Sequence, residues 1–252
     1  LSESLIRNLH QRLLSYGRGA EKSPGQFKTE QNYLADKSRR NIRFIPVSPE
    51  KLLEGLEALF SYINHSDDQI LIKSAISHVE FEALHPFKDG NGRIGRMIIT
   101  LMLWRAGAIS APHFYISGYL EEKKDEYIDF MRGVSKDGNW TDWCAFFLVA
   151  LEQQAIRNLK IAEDISDLYE NMKQTFKDVL DSKWAINALD FVFTSPVFKS
   201  SQFTRKAGLP ASSAAKHMKA LVDAGVLVTV REAAGSRPAL LRFEPLMQLV
   251  RV

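Results

Sequence analysis

The sequence predicts a mainly α-helical protein that closes on a smaller winged helix-turn-helix, and three features of the chain lead there. Apolar residues recur at helical spacing through most of the chain up to Tyr169. Only one short stretch before that point, Asn41 to Val47, alternates like a strand. Beyond Asp181 the order becomes helix, short helix, turn, helix and two-stranded hairpin, which is that of a winged helix.

Each element has a local reason. Leu5, Leu9 and Leu13 fall on every fourth position, so Leu1 to Leu14 reads as a helix that Gly17 and Gly19 of "YGRG" stop. Ser23 to Glu50 is polar, turn-rich and long for a connection without a task. Within it "NIRFIPV" forms one extended arm, ended by Pro46 and Pro49. Helical spacing resumes over Glu50 to Ile63 and Gln69 to Leu84, the latter with Ile72, Ala75, Ile76, Val79 and Ala83 on one face. Pro86 stops that helix and, by disfavouring the α conformation in the residue before it, is expected to hold His85 extended. Arg93 to Ala106, rich in Ile, Leu and Met, reads as a buried helix, and Glu121 to Gly133 and Trp140 to Tyr169 continue the pattern. Lys183 to Phe193, Ser201 to Ala207 and Ser212 to Ala224 are the helices of the last part, with "VLVTV" and "REAAGSRPALLRF" as its hairpin.

Composition excludes several classes. With 45% apolar and 25% charged residues the chain is an ordinary globular protein. The run "MIITLMLW" is far short of the roughly 20 residues that cross a bilayer, so no membrane partner is expected. Cys144, alone in "WCAFFL", has no disulfide or zinc partner and reads as a buried thiol in a reducing compartment, so a cytoplasmic location is expected. The net charge of +3 hides a segregation: Ser182 to Val252 carries ten Lys/Arg against four Asp/Glu, a net +6, leaving −3 for the remainder. A basic C-terminal piece raises the expectation of a polyanionic partner.

Chemistry concentrates in "HPFKDGNGRIGR", His85 to Arg96. Gly90 and Gly92 let the backbone turn tightly and approach a ligand. The amides there lie at the mouth of the following helix, where unpaired donors and the dipole favour an anion. Asn91 adds a neutral donor, and Arg93 and Arg96 add planar charged forks on one helix face, a set that suits a chain of phosphates. Asp89 is an oxygen ligand that needs a cation beside phosphates, and Mg2+ is the obvious one. His85 is left as the base that takes a proton from a hydroxyl attacking phosphorus. Phe87 is an apolar pin for the loop. A base, a metal ligand and a phosphate clamp together point to nucleotidyl or phosphoryl transfer.

The stretch resembles the Fic-family signature HPFx(D/E)GNGRxxR at every fixed position. Similarity extends over about Leu5 to Ala150, through "SPGQFKTEQNYLA", "FEALHPF", "YISGYLEEKKDEYIDFM" and "WTDWCAFFL". The resemblance implies a Fic-type helical core with a short β-hairpin flap, and an adenylyltransferase that moves AMP from ATP to a Tyr, Thr or Ser hydroxyl of a protein, itself included. It implies His85 as base, Asp89 as Mg2+ ligand, Asn91 at the α-phosphate and Arg93 and Arg96 toward the β- and γ-phosphates. Lys88, Gly90 and Gly92 join the phosphate-binding set, and Tyr127 is the candidate for the adenine pocket or, equally, a half-buried helix residue. Ile42, Arg43, Phe44 and Ile45 correspond to the flap that aligns the target segment. Lys28, Tyr33 and Ala35 depart from the family's usual Arg, Trp and Gly. "SDLYEN", Ser166 to Asn171, matches the family's inhibitory pattern (S/T)xxxE(G/N), which makes Glu170 an inhibitory candidate or a residue of an amphipathic connector.

The expected organisation is a catalytic domain over 1–150, a helical connector over 151–181 and a winged helix over 182–252. Lys216, His217 and Lys219 lie on the presumed recognition helix, so DNA is an expected partner beside ATP and a protein substrate, with protein docking as the alternative. A homodimer is among the expected states. Two other functions stay open: a nucleotide-sensing winged-helix transcription regulator, and a de-AMPylase or transferase using another nucleotide or a phosphocholine donor.

Overall fold

A computed structural model describes residues 1–15, 19–35, 40 and 42–250, without the side chain of Arg43. The expected stop at Gly17 and the start of the arm at Asn41 lie outside the described residues. The chain divides into two compact units, Leu1–Ile156 and Arg157–Val252.

Among the described residues the first unit is helical apart from one hairpin. Its elements are α1 (Glu3–Leu14), β1 (Leu34–Ala35), β2 (Ile42–Phe44), α2 (Pro49–His65), α3 (Ile70–Leu84), α4 (Asn91–Arg105), α5 (Ser117–Glu122) and α6 (Lys124–Asp137). The 41-residue α7 (Trp140–Leu180) begins in it. The buried face of α1 is Ile6, His10 and Leu14, while Leu5 is exposed. The spacing of four is right but the face is displaced by one residue, because His10 is wanted inside. The single arm is half of an antiparallel pair: Leu34 opposes Phe44 and Ala35 opposes Ile42. A two-residue partner such as "LA" is too short to show alternation.

α3 and α4 form the centre. Ile94, Ile98 and Met102, one turn apart on α4, join Phe81, Leu84 and Phe87 in a core completed by Ile6 and by Leu52, Leu56 and Leu59 of α2. Ile99 and Leu103, on the next face of α4, join Ala75 and Val79 in a second core with Trp143 and Phe147 of α7. Burial on two sides is why α4 is apolar nearly all round. Gly55 of α2 lets this centre close up, since a Cβ there would lie 2.4 Å from Leu84 Cδ2. Cys144 is half-buried rather than buried.

The second unit contains the end of α7, then α8 (Ala185–Thr194), β3 (Val197–Lys199), α9 (Ser200–Lys206), α10 (Ala211–Asp223), β4 (Leu227–Arg231), β5 (Leu240–Phe243) and α11 (Glu244–Val250). The stretch expected as a separate connector is therefore the later part of one continuous helix. The expected two-stranded hairpin is a three-stranded antiparallel sheet of order β3-β5-β4. β3 escapes notice because three residues carry no periodic signal, and pairing with Leu240–Arg242 is what makes them a strand. Phe176, Leu189, Phe198, Phe203, Leu221 and Phe243 are the centre of this unit's own core.

Trp143 is fully buried and its indole N–H donates to the carbonyl of Ala75 at 2.9 Å. Trp143→Phe removes the indole bond and leaves that carbonyl only its partner within α3, so chemical denaturation followed by circular dichroism should show a loss of about 0.5–1.5 kcal/mol.

Candidate active site

The turn between α3 and α4 is tied down on every side. Pro86 ends α3, but His85 is not extended: it caps the helix in the left-handed region, φ 46° and ψ 60°. Pro86 bars only the right-handed α region, and the left-handed one lets the His85 amide donate to Phe81 O at 3.0 Å. A non-glycine residue held there costs about 1–3 kcal/mol and persists only when its surroundings insist. Three side chains do so. Lys28, buried, donates from Nζ to Leu84 O at 2.9 Å, and its amide donates to Pro86 O at 2.8 Å. Asn32 Nδ2 donates to the carbonyls of His85 at 3.2 Å and Phe87 at 2.9 Å. Asn91 accepts from the Phe87 amide at 2.8 Å and donates to the Phe87 carbonyl at 2.7 Å.

Asn91 is thus buried, with both ends of its carboxamide hydrogen-bonded to Phe87. Lys28, noticed in the sequence only as a departure from a family pattern, ties down the residues on either side of His85. His10 supplies another that sequence reasoning missed. Its Nδ1 accepts from the Gly25 amide at 2.8 Å, so the ring proton lies on Nε2 and donates to Asp89 O at 2.9 Å. The ring also stacks on Phe87, centroids 3.8 Å apart, which gives Phe87 its expected role as a pin. A histidine among leucines at four-residue spacing was the available signal.

Beyond the turn, α4 starts at Asn91 with Gly90 as its cap, φ 84°, and no side chain caps its amides. Asp89 Oδ1 accepts from the Gly90 amide at 2.7 Å, and Oδ2 lies 3.6 Å from Arg93 Nη2. Lys88 is exposed, 4.0 Å from Glu30. Arg93 and Arg96 both open on a cavity of about 560 Å³, walled by Leu9 and Leu13 of α1 and by Phe114 and Tyr115. A second, smaller and largely apolar cavity of about 220 Å³ lies between the hairpin and α6, lined by Leu34, Phe44, Val79, Glu82, Ile128 and Met131. Ile42 and Ile45 of the hairpin region are exposed. Tyr127 lines neither cavity. One residue along a helix turns the side chain by about 100°, so Ile128 faces the cavity while Tyr127 enters the core and shares a 2.9 Å hydrogen bond with His78. Glu170 belongs to the second unit, where it is exposed and paired with Lys173 at 2.7 Å.

A cation at Asp89 would lean on phosphate oxygens, since the described residues contain no group of three or more ligating side chains that could hold a metal unaided. Mg2+ binds in that manner, through one or two carboxylates plus phosphates. Asp89 is half-exposed, and the approach to it is kept open by Gly19, where a Cβ would come within 3.0 Å of Oδ2. The residues fit.

Burial sets the protonation. His85 is held down to about 4, first by desolvation and then by the Lys28 ammonium, so it is neutral and able to accept a proton. Desolvation lowers His78 to about 3 and lowers His10 as well. Glu82 is pushed the other way, up to about 7, with Arg96 opposing the burial. Histidines with lowered folded pKa values stabilise the fold above their unfolded value of 6.5, and that stability is lost on acidification toward 4. Glu82, raised from 4.5 to about 7, acts oppositely between those values and is the larger of two such groups, Glu80 being the other, against the lowered His10, His78, His85 and His217. The thermal midpoint of the protein should therefore fall from pH 6.5 to 4.5, and fall more steeply in Glu82→Gln, where the larger opposing group is gone.

Residues 1–103 match the model of the Fic/DOC family. The protein adenylyltransferase fic-1 of Caenorhabditis elegans is 34% identical over 107 residues, which are 40% of this chain and 19% of that protein. A probable protein adenylyltransferase of Aquifex aeolicus (strain VF5) is 26% identical over 147 residues, 53% of this chain and 44% of its own. A uridine 5'-monophosphate transferase of Xanthomonas campestris pv. campestris (strain 8004) is 35% identical over 72 residues, 25% of this chain and 13% of its own. The chain thus spans less than half of each of these relatives. The crystal structure of a Fic family protein from Desulfovibrio desulfuricans G20 superposes with a TM-score of 0.56 at 15% identity, over 96% of this chain and 68% of that one, a likeness of fold.

Proposed function

From the match of residues 1–103 to the Fic/DOC family model, we propose that the protein is a nucleotidyltransferase that moves AMP from ATP to a hydroxyl side chain of a protein. The observation that carries the reading is the turn at 85–90. A neutral imidazole is fixed there, immediately before an uncapped helix N-terminus that bears two arginines on its first turns. Triphosphate lies across that N-terminus, with Arg93 and Arg96 at its far end, and the base enters the apolar cavity beneath the hairpin. Asp89 would hold Mg2+, which when bound neutralises phosphate charge. His85 accepts the proton of the target hydroxyl as its oxygen attacks the α-phosphorus. The hairpin region, with Ile42 and Ile45 exposed, aligns the target chain by strand pairing. Asn91 and His10 act by shaping the loop.

The second unit serves as a winged helix that localises the enzyme. Its recognition helix is α10, with Lys216 and Lys219 outward on DNA or on a protein; His217 is buried and takes no part.

Incubation with ATP and Mg2+ should add the mass of AMP to the protein itself or to a target, read by intact-mass spectrometry. His85→Ala should abolish the product, and Arg96→Ala should lower kcat/KM by about 100-fold, the scale of a lost charge-stabilising donor. Parallel reactions with GTP, CTP, UTP and CDP-choline identify the donor by the mass added. Tight ATP binding without any transferred group would instead favour the nucleotide-sensing regulator.

A further inference from the structure

Behind His85 lies a carboxyl that no part of the proposed reaction uses. Glu82, three residues earlier on α3, places Oε2 3.9 Å from His85 Nδ1. Both side chains are mostly buried, at 13% and 14% exposure. His85 Nδ1 and Glu82 Oε1 are each sealed from solvent without a hydrogen-bond partner. Such atoms are uncommon, and each asks for an explanation. Room for the carboxyl is made by α4: a Cβ on Gly95 would lie 2.7 Å from Glu82 Oε1, and one on Gly92 would lie 3.1 Å from Arg96 Nη1. Glu82 therefore occupies a slot between imidazole and guanidinium that glycine at 95 keeps open.

We propose that Glu82 is the positioning residue of His85, accepting the Nδ1 proton so that Nε2 is left free to take the proton of the target hydroxyl. This rests on the nucleotidyl-transfer reading. At 3.9 Å the pair is too long for a hydrogen bond, but a small rotation of the Glu82 side chain closes it, and such bonds often tighten only when substrate is bound. The carbonyl of Glu82 also acts on the ring, though without the alignment of a hydrogen bond. In the reaction the hydroxyl O–H breaks and an Nε2–H forms. The hydroxyl oxygen bonds to the α-phosphorus, the bond to the diphosphate breaks, and pyrophosphate leaves with its electron pair. The imidazolium so formed has its second N–H directed at the Glu82 carboxyl. Arg96 and Tyr127 are the other groups whose charge reaches Glu82, and Lys28 and Asp89 are those that reach His85.

Two measurements test this on the full chain. Nitrogen chemical shifts of labelled protein, with His85→Asn for assignment, should show His85 as the Nδ1–H tautomer, and Glu82→Ala should shift it toward Nε2–H. This readout needs no turnover, so it stands if the donor or the reaction class is wrong. In the transfer reaction Glu82→Ala should lower kcat by about 100-fold at saturating nucleotide, beyond any change in KM that follows from its place in the wall of the cavity beneath the hairpin, on the scale of a lost base orienter. Glu82→Gln, which keeps an acceptor oxygen, should recover about tenfold of that. Gly95→Ala, which expels the carboxyl, should mimic Glu82→Ala. A wild-type Nε2–H tautomer, an unchanged tautomer in Glu82→Ala, or a kcat equal to that of the wild type in Glu82→Ala overturns the proposal.

Discussion

His85 sits in left-handed backbone at the end of α3 because Lys28, Asn32 and Asn91 each hold a carbonyl or amide of the turn it belongs to. The strain is offset by hydrogen bonds that form only when the chain takes this path. Lys28 is held down to about 8 by burial, so its ammonium is kept in place at some cost. A charge that is expensive to bury is retained here because it ends a helix where an ordinary glycine cap is absent, and because its field adds to burial, the larger cause, in keeping the imidazole neutral.

The same turn depends on distant sequence. His10 from α1 and Asn32 from the connection before the hairpin reach it across long stretches of chain, and Phe87 is clamped between the His10 ring and the core. The core on both sides of α3 and α4 is what makes these reaches reproducible, since two packed faces leave the central helices no freedom to rotate. Rigid supports of this kind are what a site needs if its groups are to meet a phosphorus atom within a fraction of an ångström.

Polar groups below the site divide by solvation. Asp89 and Arg93, 3.6 Å apart, and Lys88, 4.0 Å from Glu30, stay partly exposed, as the proposed exchange of partners with a charged ligand requires. His78, Tyr127 and Glu82 are closed in, and burial has driven each toward its neutral form. The boundary between the two sets runs through Arg96, whose Nε is buried without a partner while the side chain opens on a cavity.

Residue types and spacing alone determined the helical character and the stops at Pro86 and Gly225, and they drew attention to the turn at 85–96, because these follow from local backbone preference and from the chemistry of twelve consecutive residues. They could not determine which face of α1 is most buried, since His10 is drawn inside by the Gly25 amide and the Asp89 carbonyl, which lie far off in the chain. They could not separate Tyr127 from Ile128, nor show that Asn91 is spent on Phe87. They gave no hint that two residues at Leu34 and three at Val197 would be strands, because pairing partners at Phe44 and Arg242 decide that. Tertiary structure settled these points for a single reason. A buried hydrogen bond or a packed face is a property of two segments together, and neither segment carries it alone.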